Sequence, residues 1–292
     1  MSTAGRSEEQ AARWNGPSGQ VWTEAQAMMD EMFRGLEELL VDAVGPGERV
    51  LDVGCGTGGT TVAIARRLGG DGLCVGVDVS EPMVEAARAR AEREGVRAEF
   101  VRADAEEHAF EPASFDAVVS RFGVMFFGDS VRAFANLRRA AKSGARLRLI
   151  VWRGAEDNPF MTTAERAAAP LLPDLPPRVP DAPGQFGFAN RDKVHRLLAE
   201  SGWSGIGIRP VDVACRIPES ELNGYFTRFG PLGQVLPKAD EQTRARVVET
   251  VRAAFEPYVH GAEVRFTAAC WLVEARALPE PDGTARPDSG NR

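Results

Sequence analysis

Residues Val50 to Thr61 read Val-Leu-Asp-Val-Gly-Cys-Gly-Thr-Gly-Gly-Thr-Thr, a short apolar run followed by a glycine-dense turn and then by helix-forming sequence. This order predicts a strand, a ligand-holding loop and a helix. Glycines turn the backbone sharply, tolerate positive φ and let a ligand approach the main chain, while the next helix presents free N–H groups. We therefore expect a nucleoside-containing cofactor at this loop.

Two kinds of cofactor are compatible with the glycine spacing. Gly54-x-Gly56-x-x-Gly59 satisfies the dinucleotide fingerprint, and Asp78 follows at about the separation expected of its ribose-binding acid. However, Asp52 and Gly58 extend the pattern to Asp-x-Gly-x-Gly-x-Gly. A carboxylate at that place suits a cofactor that carries an ammonium group and is unfavourable beside a diphosphate.

With this extended pattern the sequence resembles the class I S-adenosylmethionine-dependent methyltransferases that act on small molecules. The resemblance implies that S-adenosyl-L-methionine binds at the loop and leaves as S-adenosyl-L-homocysteine. It further implies that Asp78 accepts both ribose hydroxyls, and that Asp104 and the N–H of Ala105 bind the adenine. The cofactor-binding residues expected on this basis are Asp52, Gly54, Cys55, Gly56, Gly58, Asp78, Val79, Met83, Asp104, Ala105 and Ser120.

The order of apolar runs predicts an α/β fold with a doubly wound, mostly parallel sheet of seven strands and an antiparallel last strand. The first five strands alternate with helices, and the fourth helix is expected to run to Lys142 before Gly144. The last two strands are expected to form an antiparallel pair at the sheet edge. The predicted strands cover residues 49–53, 73–77, 98–102, 115–120, 146–152, 205–217 and 264–276.

Residues 13–277 are expected to form one domain, with disordered segments at 1–12 and 278–292. Within it, residues 13–47 form an N-terminal helical cap, whose main helix is expected to begin at the capping-box pair Thr23 and Gln26. The proline-rich segment 153–190 and the segment 218–262 are expected to be insertions on the substrate side.

Composition limits the function classes. The 292 residues include 43% hydrophobic and 26% charged residues, which are ordinary globular values, and the start of the chain is too polar for a signal peptide. No apolar run approaches the ~18 residues of a membrane span, so we expect a cytoplasmic protein. The net charge of −7 disfavours nucleic acid as a partner and favours a small-molecule substrate. We expect a monomer or homodimer.

The segment after the fourth strand, Ser120 to Phe127, is unusually aromatic for a loop, and its end is where a transferred methyl group should point. Aromatic faces there either hold a planar or cationic substrate or pack beneath it. A guanidinium in the same segment is suited to a substrate carboxylate. The substrate-binding candidates are Trp14, Trp22, Arg121, Met125, Phe126 and Phe160.

A methyl group bound to a sulfonium is already electrophilic, so alignment and exclusion of water are the main tasks of such an enzyme. If the acceptor needs a general base, the candidates are the three histidines of the chain, His108, His195 and His260, each of which is equally compatible with a surface or packing role. The acceptor atom, which is O, N or C, and the identity of the substrate stay open.

Metal assistance is not expected. Asp157 and Asn158 follow the fifth strand, where catechol-type methyltransferases supply two metal ligands, but Arg121 occupies the region of the third. The four cysteines are widely spaced, which disfavours a zinc site and disulfides. Two other functions remain: a cofactor-binding module without chemistry of its own, and an NAD-dependent oxidoreductase, which Asp52 and Asp104 disfavour.

Overall fold

The computed structural model describes residues 10–179 and 182–278. The expected disorder of residues 1–9 and 279–292 therefore concerns positions outside the described residues. Residues 10–12, which were also expected to be disordered, belong instead to a helical stretch over 10–15. Asn15 in this stretch holds the segment against the body of the protein, because its Nδ2 donates to the carbonyl of Val79 and its Oδ1 accepts from the N–H of Glu81.

One sheet organises the molecule, with the strand order β3-β2-β1-β4-β5-β8-β6 and a short strand β7 paired with β8. The first five strands are parallel, and β8 runs antiparallel to both β5 and β6. This confirms the predicted α/β class and the antiparallel last strand. The strands are β1 (Arg49–Val53), β2 (Leu73–Asp78), β3 (Ala98–Arg102), β4 (Phe115–Arg121), β5 (Ala141–Trp152), β6 (Ser204–Pro218), β7 (Val259–His260) and β8 (Glu263–Arg276).

Helices cover the parallel strands, as the almost complete burial of β1 and β4 requires. No helix in the described ranges combines the length and the hydropathy that crossing a bilayer needs. The helices are α1 (Pro17–Glu24), α2 (Gln26–Met32), α3 (Arg34–Val41), α4 (Gly59–Leu68), α5 (Glu81–Arg93), α6 (Ser130–Ala140), α7 (Pro159–Ala168), α8 (Arg191–Glu200), α9 (Leu222–Arg228), α10 (Gly230–Val235) and α11 (Glu241–Ala254).

Two predicted helix boundaries were wrong. In the N-terminal cap a helix begins before Thr23, at Pro17, a residue that is suited to the first turn of α1. Thr23 lies inside that helix, where its hydroxyl donates to the Gly19 carbonyl. Helix α6 ends at Ala140 rather than at Lys142, because Ala141 pairs with Phe115 of β4 and Lys142 forms an ion pair with Asp116. Residues 141–145 therefore extend strand β5.

The C-terminal strands also pair in a way that the sequence did not predict in full. Strand β8 lies between β5 and β6, so the later strand is internal and the earlier one forms the edge. Strand β6 is exposed at many positions, whereas β8 is mostly buried, as suits an internal strand. The two segments that precede β6 and β8 contribute α7 and α9 to α11.

Candidate functional site

A large cavity opens at the carboxyl ends of β1, β2 and β4. Its volume is about 1250 Å³, above the range of roughly 300 to 1,000 Å³ that is typical of a site for one drug-sized ligand. Gly54 follows β1, Asp78 ends β2 and Arg121 ends β4, and all three line the cavity. Ligands bind at this edge of open parallel sheets because the strand order reverses there.

The glycine turn forms one wall of this cavity. Gly54 has φ of +69° and its Cα faces that of Gly123 so closely that a Cβ on Gly54 would stand 2.5 Å from it. The N–H groups of Gly54 and Cys55 both donate to the carbonyl of Val77, at 2.8 and 3.1 Å, which fixes the turn to β2. The main chain itself is therefore exposed to a ligand at Gly54 and Gly56, without side chains in between.

Asp78 is held in a fixed orientation at the end of β2. Its Oδ2 accepts from the N–H of Gly56 at 2.8 Å and its Oδ1 from the N–H of Ser80 at 2.9 Å. Burial raises the pKa of this carboxyl, and the two backbone donors counteract part of the rise. Each oxygen keeps a second lone pair, so the carboxylate can accept two hydroxyl groups of a ligand in the cavity.

A second acid stands beyond Asp78 in the same wall. Asp104 follows β3, and its Oδ1 accepts from the N–H of Glu106 at 2.9 Å, which orients the carboxylate at the cavity. Ala105, Val79 and Met83 line the same cavity. Apolar side chains together with two carboxylates are suited to a planar ring that carries polar groups.

The opposite half of the cavity is aromatic. Phe122 stacks on Trp152 with ring centres 4.5 Å apart, and Phe33 meets both rings edge-on. Phe122 has φ of +67°, a left-handed conformation that costs a bulky residue about 1 to 2 kcal/mol. Such a backbone persists only where the surroundings enforce it, and here the neighbouring Gly123 is pressed against the glycine turn.

Both predicted tryptophans of the N-terminal cap contribute to this half. Trp14 contacts Trp22 and Phe126 edge-on, with ring centres 6.2 and 5.2 Å apart, and Trp22 contacts Phe229 at 5.6 Å. The Ser80 hydroxyl donates to the Trp14 carbonyl at 2.7 Å. The cap is thus bonded to the loop that begins at Asp78. All six predicted substrate-side residues, Trp14, Trp22, Arg121, Met125, Phe126 and Phe160, line the cavity.

Three polar side chains of segments 153–190 and 218–262 also line the cavity, and no sequence pattern indicated them. Glu165 and Arg178 form a bidentate ion pair, in which Nε and Nη2 of the arginine donate to the two carboxylate oxygens at 2.7 and 2.6 Å. Burial raises the pKa of Glu165. The Tyr225 hydroxyl donates to the Met161 sulfur at 3.3 Å, and burial raises its pKa. Sulfur is a weak acceptor, so this hydroxyl is available to a stronger partner in the cavity.

Comparison with known proteins shows the family to which this chain belongs. The chain is 37% identical over 263 residues to a nocamycin O-methyltransferase from Saccharothrix syringae, a match that covers 85% of this chain and 93% of that protein. The chain belongs to the S-adenosylmethionine-dependent methyltransferases. This confirms the family that the glycine pattern indicated, and a family model described as a methyltransferase domain matches residues 50–144.

Two further comparisons support less than this. The chain is 37% identical over 120 residues to an aklanonic acid methyltransferase from Streptomyces sp. (strain C5), covering 40% of this chain and about half of that protein, 54%. Among solved structures, the YcgJ protein from Bacillus subtilis superposes with a TM-score of 0.56 at 18% identity, over 85% of this chain and 100% of that one. This likeness concerns the fold alone.

Four of the predicted cofactor-binding residues of this methyltransferase do not line the cavity. Asp52 is 1% exposed and accepts from the Thr61 hydroxyl at 2.7 Å, so its carboxylate braces the first turn of α4. Cys55 and Gly58 pack towards β2 and α5 instead. The Ser120 hydroxyl donates to the Val53 carbonyl at 2.7 Å and accepts from the Gly123 N–H, which joins β4 to the glycine turn.

Burial without a full counter-charge raises the pKa of Asp52 to about 6. Because this lies above the ordinary value of 3.8, the group favours folding below about pH 4, and that contribution is lost as pH rises through about 6. Asp52→Asn keeps an acceptor for Thr61 and carries no charge. At about pH 8 the ligand-free variant is therefore expected to exceed the wild type in free energy of unfolding by roughly 2 to 3 kcal/mol.

Urea denaturation of both proteins across the range from about pH 4 to pH 8 measures this difference, which should shrink towards zero at the acid end. A difference that stays the same at every pH would show that Asp52 is not the group responsible.

The structure places none of the three histidines at the cavity. His108 is half-buried beside Phe110, with ring centres 4.6 Å apart, while His195 lies exposed on α8 and His260 exposed on β7. None of the three lines the cavity, although His108 lies in the segment that follows Asp104. The expectation that one of them serves as the general base of this methyltransferase is therefore corrected.

The Asp157 and Asn158 pair has a structural role as well. Asn158 is buried, and its amide donates to the carbonyls of Gly154 and Ala269 and accepts from the Ala269 N–H, so it joins the end of β5 to β8. Asp157 pairs with Arg153. Within residues 10–179 and 182–278, no three His, Cys, Asp or Glu side chains are grouped as metal ligands.

Proposed function

We propose that this methyltransferase transfers the methyl group of S-adenosyl-L-methionine to an O, N or C atom of a large, mostly apolar small molecule. The observation that carries the proposal is the position of Asp78, oriented at the glycine turn in the same cavity as the Phe122 and Trp152 stack. One half of the cavity fits a nucleoside, and the other fits a hydrophobic acceptor.

The residues present fit the cofactor. Gly54 and Gly56 leave the main chain bare where a ligand approaches, and Asp78, bonded to that turn, keeps a free lone pair on each oxygen for the ribose. Asp104 and Ala105 line the same cavity and offer an acceptor and a main-chain N–H to an adenine. We assign these residues, with Val79 and Met83, to cofactor binding, and they account for the adenosine part of the ligand.

When bound, the cofactor supplies an electrophilic methyl group on a positively charged sulfur. The chain then has to align an acceptor with that group and to exclude water. The aromatic wall of Phe33, Phe122 and Trp152 does both, because rigid stacked rings fix the plane of a bound acceptor and displace solvent. Tyr225 and Glu165 supply hydrogen-bonding groups in the same half, where they can bind a hydroxyl of the acceptor.

The names of the two relatives extend the proposal to natural-product metabolism, since they refer to nocamycin and aklanonic acid. A cavity of about 1250 Å³ has room for a sizeable acceptor beside the cofactor. We therefore propose an acceptor of several rings or of comparable bulk. A cytoplasmic location and a monomeric or homodimeric state stay predictions.

Calorimetric titration of the purified protein with S-adenosylmethionine, S-adenosylhomocysteine and NADH tests the proposal. Binding of the two sulfur compounds without NADH supports it, and a panel of hydroxylated aromatic acceptors then tests methyl transfer by mass spectrometry. Binding of NADH alone would overturn the proposal in favour of an oxidoreductase. Cofactor binding without transfer to any acceptor of the panel would favour the module without chemistry of its own.

A further inference from the structure

Arg121 lies beside the glycine turn. Asp52 of β1 pairs with Val119 of β4, so two residues further along the parallel strands Arg121 stands level with Gly54. Side chains two residues apart in a strand share a face, so Arg121 lies on the same face as Val119. Val119 pairs with Asp52, and Arg121 is therefore on the same side of the sheet as Asp52. Arg121 lines the cavity, although its side chain is only 15% exposed.

This guanidinium is poorly paired by the protein. Its nearest carboxylate is that of Glu37, with Nη1 3.9 Å from Oε2, which is too long for a hydrogen bond. Nη1 is buried and has no hydrogen-bond partner within the described part of the chain. Arg178, on the acceptor side of the same cavity, differs in being held by both oxygens of Glu165. Burying a guanidinium without hydrogen-bond acceptors costs free energy unless a ligand supplies the missing acceptors.

We infer that Arg121 binds the α-carboxylate of the amino-acid end of the cofactor. The inference rests on the proposed function, and it assigns a part of the ligand that the adenosine-binding residues leave unbound. A guanidinium matches a carboxylate with two parallel hydrogen bonds. The position level with Gly54 is the one at which a ligand that passes along the glycine turn from Asp78 reaches β4.

The surrounding charges favour the amino-acid end of the cofactor over an acceptor carboxylate. Arg121 is flanked by Glu37 and by the buried Asp52, so one cation stands among two acids. A bare carboxylate would be repelled by this excess of acid. An amino-acid end brings an ammonium together with its carboxylate, and the ammonium offsets the second acid.

The test compares two ligands that differ in the amino-acid end. S-adenosylhomocysteine has it, whereas 5′-methylthioadenosine keeps the adenosine and the thioether but lacks it. In Arg121→Gln the dissociation constant of S-adenosylhomocysteine is expected to rise by about 10- to 100-fold, the value of one or two charged hydrogen bonds. That of 5′-methylthioadenosine should change by less than about twofold, and this binding also shows that the variant is folded.

Two further variants sharpen the result. Arg121→Lys keeps the charge but loses the fork of donors, so its loss of S-adenosylhomocysteine affinity should lie between those of the wild type and Arg121→Gln. Arg178→Gln, an arginine on the acceptor side of the same cavity, should leave the affinity for S-adenosylhomocysteine unchanged.

The inference is overturned if Arg121→Gln binds S-adenosylhomocysteine as tightly as the wild type, and a raised KM for an acidic acceptor would then assign Arg121 to the acceptor instead. Equal weakening of both ligands also overturns it, because the amino-acid end would not be the part that Arg121 contacts. Failure of the proposed function is a different outcome, in which the wild type itself binds neither ligand.

Discussion

Asp78→Asn is expected to weaken binding of S-adenosylhomocysteine by roughly 300-fold or more, the loss of about two charged hydrogen bonds. The carboxylate accepts from the N–H groups of Gly56 and Ser80 and has lone pairs left for both ribose hydroxyls. An asparagine has only one accepting oxygen. Because each oxygen of Asp78 accepts one backbone N–H, the NH₂ group of an asparagine would face the N–H of either Gly56 or Ser80, donor against donor, and the turn that carries the ligand would be disturbed.

Calorimetry of both proteins with S-adenosylhomocysteine measures this loss. Asp71→Asn is the matched control, since Asp71 is an exposed acid in the turn before β2 and should bind the ligand as the wild type does. An Asp78→Asn protein that retains affinity to within about tenfold would remove Asp78 from the ribose site.

Gly54→Ala is expected to lower the free energy of unfolding by about 4 kcal/mol or more, and to abolish cofactor binding in the protein that still folds. The added Cβ would stand 2.5 Å from the Cα of Gly123, which is main chain and not a flexible side chain. Neither side can retreat, because the Gly54 N–H is bonded to Val77 and the Gly123 N–H to Ser120. The positive φ of Gly54 adds a smaller cost.

Gly144→Ala separates the cost of the steric contact from the cost of the positive φ. Gly144 has φ of +80°, but a Cβ there would meet no atom within 4 Å, so the substitution carries the backbone cost alone, about 1 kcal/mol. Urea denaturation followed by circular dichroism gives both values. If the two alanine variants lost the same stability, the contact between Gly54 and Gly123 would not matter.

On the glycine-turn side of the cavity the sequence signals are local, yet four of the eleven residues named for it do not line the cavity. A strand followed by Gly54 and Gly56, and an acid such as Asp78 directly after the next strand, place their groups at one sheet edge whenever the strands are parallel. The antiparallel last strand was also predicted. Its position beside β5 was not, since periodicity shows that a segment is a strand but not which neighbour it joins.

The aromatic half depends on contacts between distant parts of the chain. All six residues named for it line the cavity, but several of its other groups were not foreseen. Trp152 and Tyr225 come from segments far apart, and nothing in their local sequence shows that both reach one cavity. The ion pair of Glu165 and Arg178 is formed between a helix and a proline-rich loop whose path is not periodic. The histidines were chosen for their chemistry, and residue type alone did not indicate their distance from the site.

The left-handed backbone of Phe122 would mislead a search for heat resistance that considers backbone conformation alone. Glycine at this position would relieve the backbone, so such a search would select it. The same change would delete the ring between Phe33 and Trp152 and open the wall to water. Because that ring also packs against the hydrophobic core, glycine at residue 122 would remove stabilising contacts together with the aromatic wall, and engineering for heat resistance has to keep the strained residue.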